Sequence, residues 1–491
     1  MAEPGPSDTS SAELALRLAA ASAAAGPWGE VSPGDRAECL RTVADRLDAA
    51  ADELIPLALE ETHLVPGRLS GELTRTTFQL RLFAQLLEEG SQLEATIDHS
   101  DPAWPPGPRP DLRRLLVPLG PVVVFAASNF PFAFSVAGGD TASAWAAGCP
   151  VVLKAHPGHP RLSARTGEVV LDALDASGAP EGTFAVIYGE EAGRAAVTAE
   201  EIRAGAFTGS LAGGRALFDL ASSRSTPIPF YAEMGSLNPV FVTAGAMRAR
   251  GDEILAGYAQ SFTLSAGQFC TKPGLLFLPA ATMDDGRLSD ALDPHRTGAP
   301  LLNEHIHRGY VAQLQRLRDH PGVRTVVGDA ESTGTEPTPT LLATTVPELL
   351  DGRDQLLVEC FGPTSLVVGY ADDEELLAGA KAFGGQLTAA VHGEETDAVV
   401  PDLVAILAAR AGRVIWNGWP TGVSVTWAMQ HGGPYPATTA PLHTSVGTAA
   451  IHRFLRPVSF QSVPDRFLPA ALRDANPLGV PRRVDGQAGD R

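Results

Sequence analysis

The stretch that decides the fold runs from Gly120-Pro-Val-Val-Val-Phe-Ala-Ala-Ser-Asn-Phe-Pro-Phe132 to Val151-Val-Leu-Lys154. Each end contains a short apolar run followed by small or polar residues, which is typical of a buried strand that enters a loop. Between the two runs, Asp140–Ala147 has the composition of a helix. A strand, a helix and a second strand in this order predict a βαβ unit and a parallel sheet.

The same alternation continues along the chain. Further strands are predicted at Phe184–Tyr188, Ala204–Thr208, Gly274–Leu278, Val323–Gly328, Ser365–Val368, Leu387–Val391 and Val414–Asn417, and a helix at His159–Ala176. Two such series predict an α/β protein with two α/β domains and a cleft between them. Upstream, apolar residues at three- and four-residue spacing predict helices at Asp35–Glu53 and Arg75–Leu87. The proline-rich residues 100–110 predict an extended connector.

Composition excludes several classes of protein. The chain has 491 residues, of which 44% are hydrophobic, so it is globular. Its net charge of −20, without a basic run, disfavours nucleic acid and anionic membranes as partners. The uncharged stretch Leu115–Gly139 is long enough to span a membrane, but Gly120, Pro121 and Pro131 interrupt it and favour buried elements. The four cysteines form no close pair, so we expect no metal site and a cytoplasmic setting.

Three residues are candidates for a catalytic role because of their side chains and their neighbours in the sequence. Cys270 lies among small residues before a Pro-Gly turn, where a thiolate would be accessible, although most free cysteines are small buried apolar residues. Glu233 lies beside apolar residues and is either a partly desolvated base or an ion-pair partner. Asn129 follows a buried strand and either donates to an oxyanion or makes an ordinary turn.

Two loops are candidates for binding a phosphate. Gly209, Ser210 and Gly214 follow one predicted strand and open a helix, whose backbone N–H groups could face an anion. Lys154 and His156 follow another strand, at the edge where α/β sheets bind ligands. Each signal alone is weak, and a structural role is the alternative for both.

In combination, these positions resemble the aldehyde dehydrogenase superfamily over about residues 15–485. The matching motifs are Asn129-Phe-Pro131, Lys154 after a strand, Gly209-x-x-x-x-Gly214, Glu233-x-Gly-x-x-Asn-Pro239, Gly267-Gln-x-Cys270 and Glu359-x-Phe-Gly-Pro363. Three further segments are similar to the NADP-preferring branch, which contains 2,5-dioxovalerate (α-ketoglutarate semialdehyde) and fatty aldehyde dehydrogenases. They are Pro105-Pro-Gly-Pro-Arg-Pro-Asp-Leu-Arg113, Ala137-Gly-Gly-Asp-Thr-Ala142 and His431-Gly-Gly-Pro-Tyr-Pro-Ala-Thr438.

The resemblance implies oxidation of a small-molecule aldehyde through a cysteine thioester. Cys270 is then the nucleophile, Asn129 and the Cys270 backbone N–H hold the oxyanion, and Glu233 activates the hydrolytic water. The cofactor-binding residues it implies are Lys154, His156, Gly209, Ser210, Gly214, Glu359 and Phe361. Gln268 and Lys272 are expected to shape the loop. Pro157 stands where NAD-preferring relatives commonly have a glutamate, which favours NADP, with NAD possible.

The resemblance also implies a domain plan: two Rossmann-like α/β domains and a small bridging β extension. The coenzyme-binding domain is expected to comprise residues 1–94 and 116–235, the catalytic domain residues 236–440, and the bridging region residues 95–115 and 441–491. Strands that bridge subunits predict a homodimer or homotetramer.

The substrate is the least determined expectation. The branch resemblance favours 2,5-dioxopentanoate. Ser424, however, stands where the 2,5-dioxovalerate enzymes are expected to have glutamate, and Ala440 stands where an acidic or serine residue is usual, so a fatty aldehyde is the alternative. A local cation must offset the net charge of −20, and Arg75 and Arg81 are the candidates, unless both make ordinary ion pairs. A CoA-acylating enzyme is a further alternative, against which Glu233 argues, because acylating relatives usually lack that base. A catalytically silent member of the fold is another, against which the presence of Cys270, Glu233 and Asn129 together argues.

Overall fold

A computed structural model of the chain describes residues 5–284 and 286–489. Residues 1–4 and 490–491, which fall inside the expected boundaries 1–94 and 441–491, and residue 285 lie outside the described residues. Helices are formed by α1 (Ser11–Glu30), α2 (Pro33–Ala49), α3 (Ala51–Thr62), α4 (Pro66–Glu89), α5 (Gly139–Ala147), α6 (Pro160–Ala176), α7 (Glu190–Thr198), α8 (Leu211–Ser222), α9 (Ala244–Thr263), α10 (Arg287–Leu292), α11 (Glu304–Arg318), α12 (Val346–Asp351), α13 (Arg353–Leu356), α14 (Asp373–Lys381) and α15 (Val400–Ala408).

The strands belong to three sheets. They are β1 (Thr96–Asp98), β2 (Leu112–Pro118), β3 (Val122–Phe125), β4 (Val151–Lys154), β5 (Phe184–Ile187), β6 (Ala204–Thr208), β7 (Phe230–Glu233), β8 (Val240–Val242), β9 (Leu275–Pro279), β10 (Arg324–Val327), β11 (Thr340–Thr345), β12 (Thr364–Tyr370), β13 (Gln386–His392), β14 (Ala411–Trp416), β15 (Leu455–Gln461), β16 (Arg482–Val484) and β17 (Gln487–Gly489).

The first sheet has the order β5-β4-β3-β6-β7, and all of its neighbouring strands are parallel. This confirms the βαβ units predicted from the sequence. Phe125 is in register with both Lys154 and Phe207, so the carboxyl ends of the strands meet at one edge. The strand order reverses at β3, and ligands of α/β proteins bind beside such a reversal.

The second sheet has the order β10-β11-β12-β9-β8-β13-β14 and is parallel except at one edge. Strand β10 corresponds to the predicted strand Val323–Gly328, which we expected to be parallel, but it runs antiparallel to β11. A short 3₁₀ turn, rather than a crossover helix, joins the two strands, and a parallel pair needs the longer connection. The sequence reasoning also missed β7, β8 and β11.

The third sheet has the order β15-β2-β1-β16-β17 and joins residues near position 100 to the C-terminal segment. The prediction of an extended connector at residues 100–110 is wrong, because this segment folds into the loop of the antiparallel pair β1–β2. Asp101 pairs with Arg109 across the loop, and the Arg109 guanidinium lies 4.3 Å from the Trp104 ring centre. Arg109 also donates to Asp485 at 2.8 Å. The prolines of residues 100–110 prevent a helix, and these side-chain contacts determine the fold of the loop.

The N-terminal helices depart from the prediction in one place. The expected helix Asp35–Glu53 is divided at Ala50, where α2 ends and α3 begins, because the Ala50 N–H closes a turn onto the carbonyl oxygens at the end of α2. The uncharged stretch Leu115–Gly139 forms the end of β2, all of β3 and a buried loop that leads into α5. Among the described residues, no helix is both long and apolar enough to cross a membrane.

Candidate active site

The loop that carries Cys270 is built on an unusual turn. Ser265, Ala266 and Gly267 all have positive φ, of 50°, 53° and 68°, and a side chain on Gly267 would overlap the backbone of Gly362. Lys272 donates from its buried Nζ to three carbonyl oxygens, at 2.7 Å to Cys360, 3.1 Å to Gly362 and 2.7 Å to Thr364. Lys272 therefore shapes the loop, in line with its expected role.

One amide group connects this loop to the end of β7. Asn238 Nδ2 donates to the carbonyl oxygens of Cys270 at 2.8 Å and of Lys272 at 2.9 Å. Asn238 has a φ of 48°, in the left-handed region that asparagine tolerates better than most residues. Because Glu233 ends β7 five residues earlier, this contact positions the carboxylate and the thiol relative to each other.

Cys270, Glu233 and His431 converge on one point. His431 Nε2 lies 3.7 Å from Cys270 Sγ in hydrogen-bonding geometry. The same nitrogen is 2.9 Å from Glu233 Oε1. One ligand-type atom from each of the three side chains lies within 4.8 Å of the other two. Glu233 and His431 are both buried, and the Ser445 hydroxyl donates to Glu233 Oε2.

Burial sets the charges of this group. Burial acts to raise the pKa of Glu233, but the proximity of His431 and the Ser445 hydroxyl outweigh it, so the pKa stays below its ordinary value and the carboxylate is ionised. Burial, followed by the charges of Glu233 and Glu359, raises the pKa of the Cys270 thiol well above its ordinary value. Cys270 therefore rests as a neutral thiol, with an acceptor for its proton in contact.

Asn129 lies against the same loop. Its Nδ2 donates to the carbonyl oxygen of Gln268, two residues before the cysteine, at 3.2 Å. Glu72 on α4 fixes the Asn129 loop, because its Oε1 accepts from the backbone N–H groups of Phe132 at 2.8 Å and Ala133 at 3.0 Å. A second amide hydrogen of Asn129 is thus held near the thiol, where it can donate to an oxyanion.

The expected cofactor residues follow the carboxyl ends of β4 and β6. Lys154 is half-buried, and burial lowers its pKa while the charges of Glu190 and Asp8 oppose the shift. Burial and the charges of His159 and Lys154 hold the pKa of His156 well below its ordinary value, so its ring is neutral, and its Nδ1 accepts from the Gly158 N–H at 3.0 Å.

The glycine loop and Glu359 complete the expected cofactor set. Gly209 and Ser210 are exposed, and the Ser210 hydroxyl caps α8 by accepting from the Gly213 N–H at 3.2 Å. A side chain on Gly214 would press on Met234, and one on Gly235 would overlap the Glu359 carboxylate. Burial raises the pKa of Glu359 to about 7, against the opposing charge of Lys272. Phe361 is half-buried on the same loop.

Four residues near Cys270 were not assigned a role from the sequence. His431 was noticed only as part of a motif, and Ser445, Asn238 and Glu72 were not singled out as functional residues. A histidine before Gly-Gly could have been considered as a base for a cysteine nucleophile. No local pattern, however, indicates that residues 161 positions apart meet.

Arg75 and Arg81, the two candidates for substrate binding, lie in different environments. The interpretation of Arg81 is wrong, because its guanidinium lies at the surface and pairs with Asp45 and Asp48, at 2.5 Å and 2.7 Å. Arg75 instead points toward the cleft, and its Nε donates to the carbonyl oxygen of Val423 at 3.4 Å. The two residues are six positions apart on α4, so they lie on different faces of that helix.

The class of protein follows from comparison with known proteins. The chain matches the aldehyde dehydrogenase family over residues 6–437, and it belongs to that family. It is therefore an aldehyde-oxidising enzyme that uses a nicotinamide coenzyme.

Two curated relatives cover most of the chain. The α-ketoglutaric semialdehyde dehydrogenase of Acinetobacter baylyi is 44% identical over 455 residues, which are 92% of this chain and 86% of that protein. The α-ketoglutaric semialdehyde dehydrogenase 2 of Azospirillum brasilense is 45% identical over 460 residues, which are 92% of this chain and 87% of that protein. Among solved structures, a 1-pyrroline-5-carboxylate dehydrogenase from Thermus has the same fold, with a TM-score of 0.77 at 22% identity over 92% of this chain and 86% of that one.

The raised pKa of Cys270 predicts slow alkylation at neutral pH in the enzyme without coenzyme. Only the thiolate reacts with iodoacetamide, and an ordinary thiol has a pKa of about 8.5. Because the pKa of Cys270 is raised well above its ordinary value, its alkylation rate should still increase about tenfold per pH unit between pH 8 and 9. Mass spectrometry of the modified peptide measures this rate, and Cys270→Ala gives the background from the three buried cysteines. A plateau below pH 8 would contradict the assignment.

Proposed function

We propose that the enzyme oxidises an anionic semialdehyde to a dicarboxylic acid through a thioester at Cys270. The observation that carries this proposal is the convergence of the Cys270, His431 and Glu233 side chains, with the Asn129 amide beside them. The names of the relatives support α-ketoglutaric semialdehyde (2,5-dioxopentanoate) as the substrate. A fatty aldehyde is the alternative.

The first step is nucleophilic attack by Cys270. The thiol rests protonated, and His431 Nε2, 3.7 Å from Sγ, accepts its proton as the sulfur bonds to the aldehyde carbon. The ionised Glu233 beside the ring stabilises the resulting imidazolium. The carbonyl oxygen becomes an oxyanion, to which the Asn129 amide and the Cys270 backbone N–H donate.

The second step is hydrolysis. When bound, a nicotinamide coenzyme would supply the two-electron acceptor for the hydride that leaves the thiohemiacetal carbon, so that Cys270 holds the acyl group as a thioester. Water then attacks the acyl carbon, with Glu233 as the base that takes its proton and Cys270 as the leaving group. A buried carboxylate beside the thiol favours this hydrolysis over transfer of the acyl group to CoA, and the complete set of reacting side chains argues against a silent member of the fold.

Two variants separate these steps. Cys270→Ala should abolish turnover while coenzyme binding, measured by fluorescence titration, persists, because the side chain is small and its role is covalent. Glu233→Gln should retain the amplitude of a burst, about one reduced coenzyme per site, because thioester formation does not require the water. The burst should be slower, since the imidazolium of His431 loses the adjacent negative charge, and steady-state turnover should be lost. Stopped-flow absorbance measures both phases. An equal loss of burst and turnover would assign Glu233 to activation of the thiol instead.

For the coenzyme, we propose a preference for NADP. The residues present fit such a group, because a cation, Lys154, lies at the carboxyl edge of the sheet, and the exposed Gly209 and Ser210 precede the N-terminus of α8. Lys154 would pair with the 2′-phosphate, and Pro157 presents no carboxylate to repel it. Gly209, Ser210 and Gly214 would face the pyrophosphate, His156 would contribute a neutral ring, and Glu359 with Phe361 would hold the nicotinamide half.

Lys154→Ala tests this preference. The variant should lower kcat/KM for NADP at least tenfold more than for NAD, because only NADP carries the phosphate that the ammonium group contacts. Steady-state kinetics with each coenzyme at fixed aldehyde measure the ratio. Lys381→Ala, at an exposed lysine that ends α14, is the matched control. An equal loss with both coenzymes would remove Lys154 as the reader of the phosphate.

We also propose a domain and subunit plan. Residues 1–94 with 116–235 would bind the coenzyme, residues 236–440 would supply the catalytic loop, and residues 95–115 with 441–491 would bridge subunits of a cytoplasmic homodimer or homotetramer. The edge strands β14 and β17 support this plan, because unpaired backbone groups at a sheet edge are commonly covered by a partner. Light scattering at micromolar concentration should give at least twice the mass of 51.3 kDa, and a monomer would contradict the plan.

A further inference from the structure

Three arginines surround the pocket that contains Cys270. Arg68 and Arg75 come from α4, and Arg413 comes from β14. Each interacts electrostatically with the Cys270 thiol, although Cys270 makes no ion pair with any of them among the described residues. The proposed mechanism uses none of the three guanidinium groups. Their presence in a partly buried pocket of a protein with a net charge of −20 therefore needs a separate explanation.

Arg68 and Arg75 are held in place but incompletely hydrogen-bonded. The Arg75 guanidinium lies 5.4 Å from the Phe134 ring centre, and its Nη1 is buried without a hydrogen-bond partner. The Arg68 guanidinium lies 4.5 Å from the Phe269 ring centre and donates from Nη2 to the Asn129 carbonyl oxygen, but its buried Nε and Nη1 have no partner. Buried N–H groups of a cation that lack acceptors are costly, so these two side chains are prepared for an incoming anion.

Arg413 is committed to the protein. Its Nη2 donates to the carbonyl oxygens of Pro420 at 2.8 Å and of Gly422 at 3.1 Å. The Gly422 N–H in turn donates to the Thr271 hydroxyl, next to the nucleophile, at 3.2 Å. Arg413 therefore fixes the loop that carries Pro420 and Gly422, and of its buried nitrogens only Nε lacks a partner among the described residues. Arg68 and Arg75 instead each have a buried terminal nitrogen, Nη1, without a partner there.

The local charges do not balance. Glu72 is the carboxylate whose charge acts on both Arg68 and Arg75, and its Oε1 is already occupied by two backbone N–H groups. The charge of Glu233 also acts on Arg75, so two carboxylates face the three guanidinium groups of Arg68, Arg75 and Arg413. The remaining positive charge is unfavourable in a buried setting until an anion enters. A ligand with a single carboxylate would neutralise it.

The remaining wall of the pocket is apolar. Arg75 emerges beside a cluster that contains Phe130, Phe134, Val423, Val425 and Met429. This wall can cover the methylene groups of a short chain, whereas a long hydrocarbon tail would bury the unpaired N–H groups of Arg75 and Arg68 without offering an acceptor. The arrangement fits an aldehyde at one end of a short chain and an anion at the other.

We propose that Arg75, supported by Arg68, forms a carboxylate subsite that binds the anionic end of the semialdehyde while Cys270 attacks its aldehyde end. This inference rests on the proposed function and deepens it, because it assigns the selection of the substrate class to named side chains. Arg75 is the primary contact, since its hydrogen bond to Val423 leaves Nη1 unused at the apolar wall. Arg68 would contribute charge and would couple the subsite to Asn129.

The test compares a charged and a neutral aldehyde of equal chain length in the full-length enzyme. We would measure kcat/KM for 2,5-dioxopentanoate and for pentanal in wild type, Arg75→Leu, Arg75→Lys and Arg81→Leu. The ratio of the two constants should fall about 10–150-fold in Arg75→Leu, the range for loss of a charged hydrogen bond. Arg75→Lys should recover part of the ratio, and Arg81→Leu, whose side chain pairs with Asp45 and Asp48 at the surface, should leave it unchanged.

A binding measurement makes the test independent of turnover. Glutarate, a five-carbon dicarboxylate, should inhibit wild type competitively with the semialdehyde, and its inhibition constant should rise by a similar factor in Arg75→Leu. If wild type itself prefers pentanal, the proposed substrate class is wrong. If wild type prefers the semialdehyde but Arg75→Leu lowers both constants equally and leaves glutarate inhibition intact, the substrate class stands and the carboxylate subsite is wrong.

Discussion

The active site depends on the two hydrogen bonds from Asn238 to the backbone on either side of Thr271. They join the end of β7, which carries Glu233, to the loop that carries Cys270; β7 lies in the first sheet, and the loop leads into β9 of the second sheet. Asn238 is itself fixed, because its Oδ1 accepts from the hydroxyls of Ser236 and Thr388, both at 2.9 Å. Both the oxygen and the nitrogen of this amide are thus used to fix the Glu233 carboxylate relative to the Cys270 thiol, and an asparagine side chain supplies both groups.

The protonation states of the site follow from the burial of its side chains. A solvated cysteine would be partly ionised near neutral pH, but in this pocket the thiol stays protonated and the negative charge resides on Glu233. Proton transfer to His431 and attack on the aldehyde are therefore expected to occur together, because a free thiolate beside Glu233 and Glu359 would be repelled by both. Such a site protects its nucleophile from oxidation and alkylation until an aldehyde is bound.

The local sequence predicts the elements that depend on burial alone. The elements that it does not predict depend on contacts between residues that are distant in the sequence. Runs such as Val122–Phe125 and Val151–Lys154 predict buried strands because their apolar character alone requires burial. The direction of β10, the fold of residues 100–110 and the approach of His431 to Cys270 all depend on contacts between distant residues. Arg75 and Arg81 are a further example, because both are arginines on α4. Arg75 contacts Val423 at the cleft, whereas Arg81 pairs with Asp45 at the surface, and the sequence of α4 alone does not distinguish the two positions.

The surface charge and the pocket charge act at different distances. A net charge of −20 repels an anionic substrate, but at physiological ionic strength this repulsion is screened beyond about 8 Å. The field that a substrate meets inside the pocket comes instead from Arg68, Arg75 and Arg413, which water screens less because they are partly buried. Selection by short-range contacts therefore does not require a basic surface.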